Sequence, residues 1–134
     1  MNKTKVLIVD DEVDYLTLMK EYIEYWGYEV ILAQAGKEAL VKIDQENPDI
    51  IILDYMMPEM SGITVLKEIR KLSWDLPVIM FTAHPDIKNI QGAAELGVSF
   101  FVPKMHDDSL NIQGVLRTAL DMAQKKIKKN KNKD

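Results

Sequence analysis

The stretch KVLIVDDE, residues 5–12, decides how the chain reads. Four apolar residues in succession have the pattern of a strand covered on both faces, where burial removes the need for polar alternation. They run directly into Asp10, Asp11 and Glu12. Carboxylates crowded at a strand end repel one another unless positive charge lies among them. A buried strand that delivers acids to its carboxyl end therefore calls for a cation, either a metal ion or a basic side chain.

Four further strand candidates follow: EVILAQ (29–34), DIIILDY (49–55), PVIMFTA (77–83) and SFFVPK (99–104). Helical periods lie between them. Leu16, Met19, Ile23 and Trp26 mark a first helix that Gly27 is placed to end. Residues 36–46 form a second that stops before Pro48, and Ile63, Leu66 and Ile69 stripe a third from Gly62 to near Trp74. Residues 86–96 form a fourth with Gly97 as its stop, and Ile112, Leu116, Ala119 and Ala123 line a fifth. Regular βα alternation predicts an α/β fold, a doubly wound parallel sheet of five strands with right-handed crossovers. Strand order 2-1-3-4-5 is a common solution at this length, and Pro103 suits it because that order leaves the fifth strand at an edge.

Composition excludes several classes of function. At 134 residues, with 47% hydrophobic and 28% charged residues, the chain has the make-up of a single globular domain. It has no cysteine, so disulfides and thiolate metal sites are excluded, and a cytoplasmic location is the expectation. No apolar run suits a membrane span. The whole chain carries −4, yet its last ten residues hold six Lys and one Asp, so residues 1–124 carry −9. An acidic body of this kind argues against direct nucleic-acid binding. The expected division is a domain over 1–124 and a solvated basic Lys/Asn tail or linker stub over 125–134.

In open parallel sheets ligands bind at the carboxyl ends of the strands. Those ends carry Asp10 and Asp11, Asp54, Thr82 and Lys104. The offered donors are oxygens, which select a hard divalent ion, Mg²⁺ or Mn²⁺. A metal, an ammonium and a hydroxyl around one further carboxylate are the parts phosphoryl transfer needs, with Asp54 as ligand or nucleophile. Read singly, each is ordinary: Asp10 or Asp11 as a helix cap, Lys104 as a solvated cation, Thr82 as a strand-end residue.

Together these residues resemble a response-regulator receiver domain of two-component signalling, of the chemotaxis-regulator kind, from Lys5 to about Ala123. VDDE (9–12), DYMMPEMSG (54–62), TA (82–83) and Lys104 after FFVP carry the likeness, and the middle segment meets D-x-x-M-P-x-M-x-G at every fixed position. The resemblance implies a flavodoxin-like (βα)5 fold and a switch rather than an enzyme. In it Asp54 accepts a phosphoryl group from a phosphohistidine on a histidine kinase or phosphotransfer protein. Asp10, Asp11, Asp54 and the backbone carbonyl of Met56 hold Mg²⁺. Lys104 pairs with the phosphoryl group, while Thr82 and Phe101 form the switch. The implied output face is built from the fourth helix, fifth strand and fifth helix. That face binds a downstream protein or a fused output domain and is also a route to a homodimer.

The chain departs from the family pattern at Met105, where most members have proline after a cis bond. A trans Lys104–Met105 bond and a reshaped loop are expected, because cis costs roughly 3–4 kcal/mol without proline. His84 and His106 read as surface loop residues, with His84 near enough to Thr82 in sequence to touch a phosphoryl group. An aspartyl phosphatase would want D-x-D after the first strand. A flavin carrier would want a phosphate loop where this chain has acids that repel phosphate. A receiver-like module that is never phosphorylated finds support only in Met105.

Overall fold

The apolar runs become strands and the periodic segments become helices, in strict alternation. A computed structural model describes residues 3–83, 87–104 and 112–131. In chain order the elements are β1 (Lys5–Val9), α1 (Val13–Tyr25), β2 (Glu29–Ala33), α2 (Gly36–Glu46), β3 (Ile50–Asp54), α3 (Gly62–Leu72), β4 (Val78–Thr82), α4 (Ile87–Glu95), β5 (Phe100–Pro103) and α5 (Ile112–Lys131). All strand pairs are parallel and the sheet order is β2-β1-β3-β4-β5, as the sequence leads one to expect. Pro103 ends the edge strand, where its missing N–H costs no ladder bond.

Side-chain alternation splits the core into two layers. Val6, Ile8, Ile50, Ile52, Ile79 and Phe81 face α1 and α5, meeting Leu16, Ile23, Leu116 and Leu120. Leu7, Val9, Ile51, Leu53, Val78 and Met80 face the other way, onto Ala39, Ile43, Val65, Leu66, Ile69 and Ala93 of α2, α3 and α4. Both faces are covered, which is why these strands are apolar throughout. Gly27 closes α1 with φ of +101°, the conformation its placement suggested.

The expected tail from residue 125 begins inside α5, and Lys125, Lys126, Lys128 and Lys129 are exposed. α5 runs on to Lys131, because Ile127 extends its apolar stripe and packs against the α1–α5 layer. Hydrogen bonds fix this second half: Tyr28 Oη donates to Asp121 Oδ1 at 3.1 Å, and Gln124 Nε2 donates to Thr4 Oγ1 at 2.8 Å. Lysines near a helix carboxyl end also suit its dipole.

Arg70 is a second feature absent from the sequence reading. Its side chain is 4% exposed and donates to the carbonyls of Ser73, Leu76, Leu96 and Gly97, at 2.6–3.1 Å. One buried guanidinium thus ties the end of α3 to the approach to β4 and the end of α4. Burial lowers its pKa, with Asp75 opposing.

The loop after β3 is held by a close backbone approach. Gly62 N–H donates to Tyr55 O at 2.9 Å, and a Cβ on Gly62 would stand 2.4 Å from Asp54 O and 2.7 Å from Tyr55 Cα. Only glycine allows the start of α3 to lie so near the end of β3. Gly62→Ala is expected to lower unfolding free energy by about 1–3 kcal/mol through overpacking, measured by urea denaturation. An unchanged midpoint would show that this backbone contact relaxes freely.

Candidate functional site: an acidic rim with one buried ammonium

Register brings the strand ends to a common rim. Val9 pairs with Leu53, Asp54 with Phe81, and Thr82 with Pro103, so Asp10, Asp54, Thr82 and Lys104 stand side by side. All four are buried, at 0%, 3%, 0% and 3% exposure, whereas Asp11 is open to solvent. One carboxylate oxygen each from Asp10, Asp11 and Asp54 lies within 4.8 Å of the others. That acidic pocket is the one the sequence indicated.

Lys104 supplies the positive charge. Its Nζ lies 2.8 Å from Asp10 Oδ2, 3.1 Å from Glu12 Oε1 and 3.6 Å from Asp54 Oδ2, and 4.3 Å from the centroid of the Tyr15 ring. Burial pulls the ammonium pKa down, but Asp10, Asp54 and Glu12 outweigh it and the net direction is upward. The Lys104 N–H also donates to Thr82 O, continuing the β4–β5 ladder past Pro103.

The backbone positions the acids. Asp10 N–H donates to Ala33 O at 3.1 Å, and Asp10 Oδ1 accepts from Glu12 N–H at 2.9 Å. The capping alternative is therefore met only as a local turn. Glu12, not an aspartate, is the N-cap of α1, and its side chain makes no cap bond. Asp54 Oδ1 accepts from Met56 N–H at 3.2 Å, so the residue named for its carbonyl also meets the site through its amide.

Asp10 Oδ2 is buried and, among the described residues, meets no well-aligned donor beyond the Lys104 ammonium at 2.8 Å. A buried oxygen left in this condition is costly. With three hard oxygens converging there, the donor set fits a small divalent cation. Burial, followed by the Asp10 carboxylate, pushes the Asp54 pKa up to about 7, against the opposing pull of Lys104 and the Met56 amide.

Phe101 is half-buried and packs on the α2–α4 side, while Phe100 packs on the α1–α5 side. His84, Met105, His106 and the Lys104–Met105 bond lie outside the described residues. Sequence reasoning missed the parts played by Glu12 and Tyr15. Glu12 could have been found as the third acid of VDDE; nothing in the sequence marks Tyr15 as the residue beneath the ammonium.

With this geometry in place, the comparisons with known proteins define the class. A family model described as the response regulator receiver domain matches residues 6–128, and the chain belongs to that family. It is therefore a receiver domain of two-component response regulators, a class that accepts phosphoryl groups as a signalling switch.

Among curated proteins it is 41% identical over 104 residues to the alkaline phosphatase synthesis transcriptional regulatory protein PhoP of Bacillus subtilis, covering 78% of this chain and 43% of that protein. It is 40% identical over 104 residues to the probable transcriptional regulator ycf27 of Cyanophora paradoxa, with the same coverage of 78% and 43%. The chain thus spans less than half the length of these relatives.

Among solved structures, a CheY-like receiver domain from Methanospirillum hungatei superposes with a TM-score of 0.83 at 26% identity, covering 96% of this chain and 99% of the other. The signal receiver domain of a putative LuxO repressor protein from Vibrio parahaemolyticus gives 0.87 at 26% identity, covering 100% and 98%. No helix among the described residues is long and apolar enough to cross a membrane.

The raised Asp54 pKa sets a pH dependence in metal-free protein. Unfolded aspartate releases its proton near 3.9, folded Asp54 at about 7. Between those values the folded state holds the extra proton, so its stability falls as pH rises from about 4 to 7. In chelator, Asp54→Asn is expected to remove this slope and to exceed the wild type at pH 8 by roughly 1–4 kcal/mol, read from urea unfolding at pH 5 and 8. An identical slope in the variant would contradict the assignment.

Proposed function

We propose that this domain is a phosphorylation-dependent switch that takes a phosphoryl group on Asp54. The observation that carries the reading is a buried carboxylate at the end of β3 with an ammonium 3.6 Å away and two more acids converging on it. An Asp54 carboxylate oxygen attacks phosphorus of a phosphohistidine on a histidine kinase or phosphotransfer protein. A P–O bond forms, the P–N bond breaks, and the imidazole leaves with the electron pair.

Asp10, Asp11, Asp54 and the Met56 carbonyl would hold Mg²⁺ or Mn²⁺. When bound, the ion neutralises charge on the transferring group and keeps Asp54 ionised near neutral pH. Lys104 pairs with a phosphoryl oxygen, and Thr82 donates its hydroxyl to another. Transfer of this kind is mainly positioning and charge neutralisation, which suits a site whose side chains are already packed. The domain thereby promotes its own phosphorylation and slow hydrolysis, and resets a signal rather than releasing a new product.

The output reading follows from the far side of the same strands. New contacts to Thr82 and repacking of Phe101 shift the population of the α4-β5-α5 face. There Phe101, Gly114, Val115 and Thr118 line a shallow groove, and Val115 is half exposed. A downstream protein, a fused output domain or a second copy of the chain would bind at this face. The relatives' names point to transcription as one such output, served by segments beyond the aligned region. A switch of this design meets its kinase in the cytoplasm.

Incubation with acetyl phosphate and Mg²⁺ is expected to add one phosphoryl group, about 80 Da by intact mass. The adduct should require the metal and be absent in Asp54→Asn. A wild type that stays unmodified with both acetyl phosphate and a cognate kinase would overturn the reading.

A further inference from the structure

The ammonium of Lys104 sits at the end of a flexible four-carbon stem, with Asp10 nearer than Asp54, at 2.8 Å against 3.6 Å. It rests on Asp10, donates to Glu12 and keeps Asp54 within reach. The sequence after Lys104 offers no help, because Met105 stands where a proline would stiffen the chain.

The constraint comes instead from α1. The Tyr15 ring presents its face to Nζ at 4.3 Å. Tyr15 is in turn braced by the Phe81 ring, edge-on at 6.1 Å with an interplanar angle of 69°. Phe81 is 1% exposed and is the register partner of Asp54 on β4. The ring under the ammonium is therefore referenced to the same strand pair that carries the phosphoacceptor.

We propose that Tyr15 is a positioning residue for phosphoryl transfer, holding Lys104 by a cation–π contact so that its ammonium stays within reach of Asp54; this rests on the phosphoacceptor reading above. A π face suits the task because it attracts the cation without consuming a hydrogen-bond donor. An aliphatic side chain at position 15 would fill space without attracting the ammonium. Glu12 shares the hold by accepting a hydrogen bond from Nζ on Oε1 at 3.1 Å, although its side chain is half-exposed.

The test compares the wild-type chain with Tyr15→Phe and Tyr15→Leu, each with ¹³C-labelled lysine, using Lys104→Arg to assign the Lys104 signal. In the wild type and Tyr15→Phe the Lys104 ε-methylene is expected upfield from the ring current; in Tyr15→Leu it returns to an ordinary lysine position. Labelling by acetyl phosphate at saturating Mg²⁺ should slow roughly 3- to 30-fold in Tyr15→Leu and recover in Tyr15→Phe. If Tyr15→Leu folds poorly, Tyr15→Met makes the same comparison. A purely structural role would change the melting temperature and leave the labelling rate of folded protein alone. An unshifted Lys104 signal in the wild type, unchanged labelling in Tyr15→Leu, or no rescue by Tyr15→Phe would each overturn the proposal. A wild type that shows the ring-current shift but accepts no phosphoryl group would sink the phosphoacceptor reading and the positioning role of Tyr15, leaving only the Lys104 contact.

Discussion

The rest of the site depends on one buried ammonium among carboxylates. Lys104 Nζ is within 4 Å of Asp10, Glu12 and Asp54, and its own side chain is almost wholly out of water. Without it, two buried acids at adjacent strand ends would repel at short range in a poorly screening environment. With it, the cluster is bearable but not satisfied. Asp10 Oδ2 meets no well-aligned donor beyond that ammonium among the described residues, and Asp54 holds its proton up to about 7. The residual negative charge is what makes the donor set at the rim suit a divalent ion.

The sheet exists in service of that arrangement. Parallel strands in order 2-1-3-4-5 place the ends of β1, β3, β4 and β5 side by side, so four residues far apart in sequence meet without any long loop. Helices on both faces keep the strands dry, and dryness is what strengthens each charge interaction at the rim. Gly62 lets α3 start hard against the end of β3, and Arg70 fastens the opposite end of the same helix. The segment carrying Asp54 is thus fixed from both sides.

Most of this was legible in the sequence, for a physical reason. Doubly covered strands must be continuously apolar, so Val6–Val9, Ile50–Leu53 and Val78–Phe81 announce themselves, and the charged residues that end them stand out by contrast. Asp10, Asp11 and Asp54 stand out that way, and Thr82 and Lys104 enter as the residues at the ends of the fourth and fifth strands. Tyr15 does not stand out, because an aromatic residue directly before a core leucine on a helix reads as core. Arg70 was hidden among the basic residues that close a helix, since only tertiary structure brings four carbonyls to one guanidinium. The end of α5 was not legible, because its lysine-rich composition suggests a solvated tail, while Ile127 packs on the domain.

The most direct test of the central claim is a crystal structure determined with Mg²⁺ and trifluoroberyllate, a mimic of an acyl-phosphate. The account predicts the beryllium bonded to an Asp54 oxygen, the metal shared by the acidic rim and a fluoride, and Lys104 Nζ on a second fluoride while still resting on Tyr15. Metal bound away from Asp10, Asp11 and Asp54, or a Lys104 that turns out of the site, would contradict it.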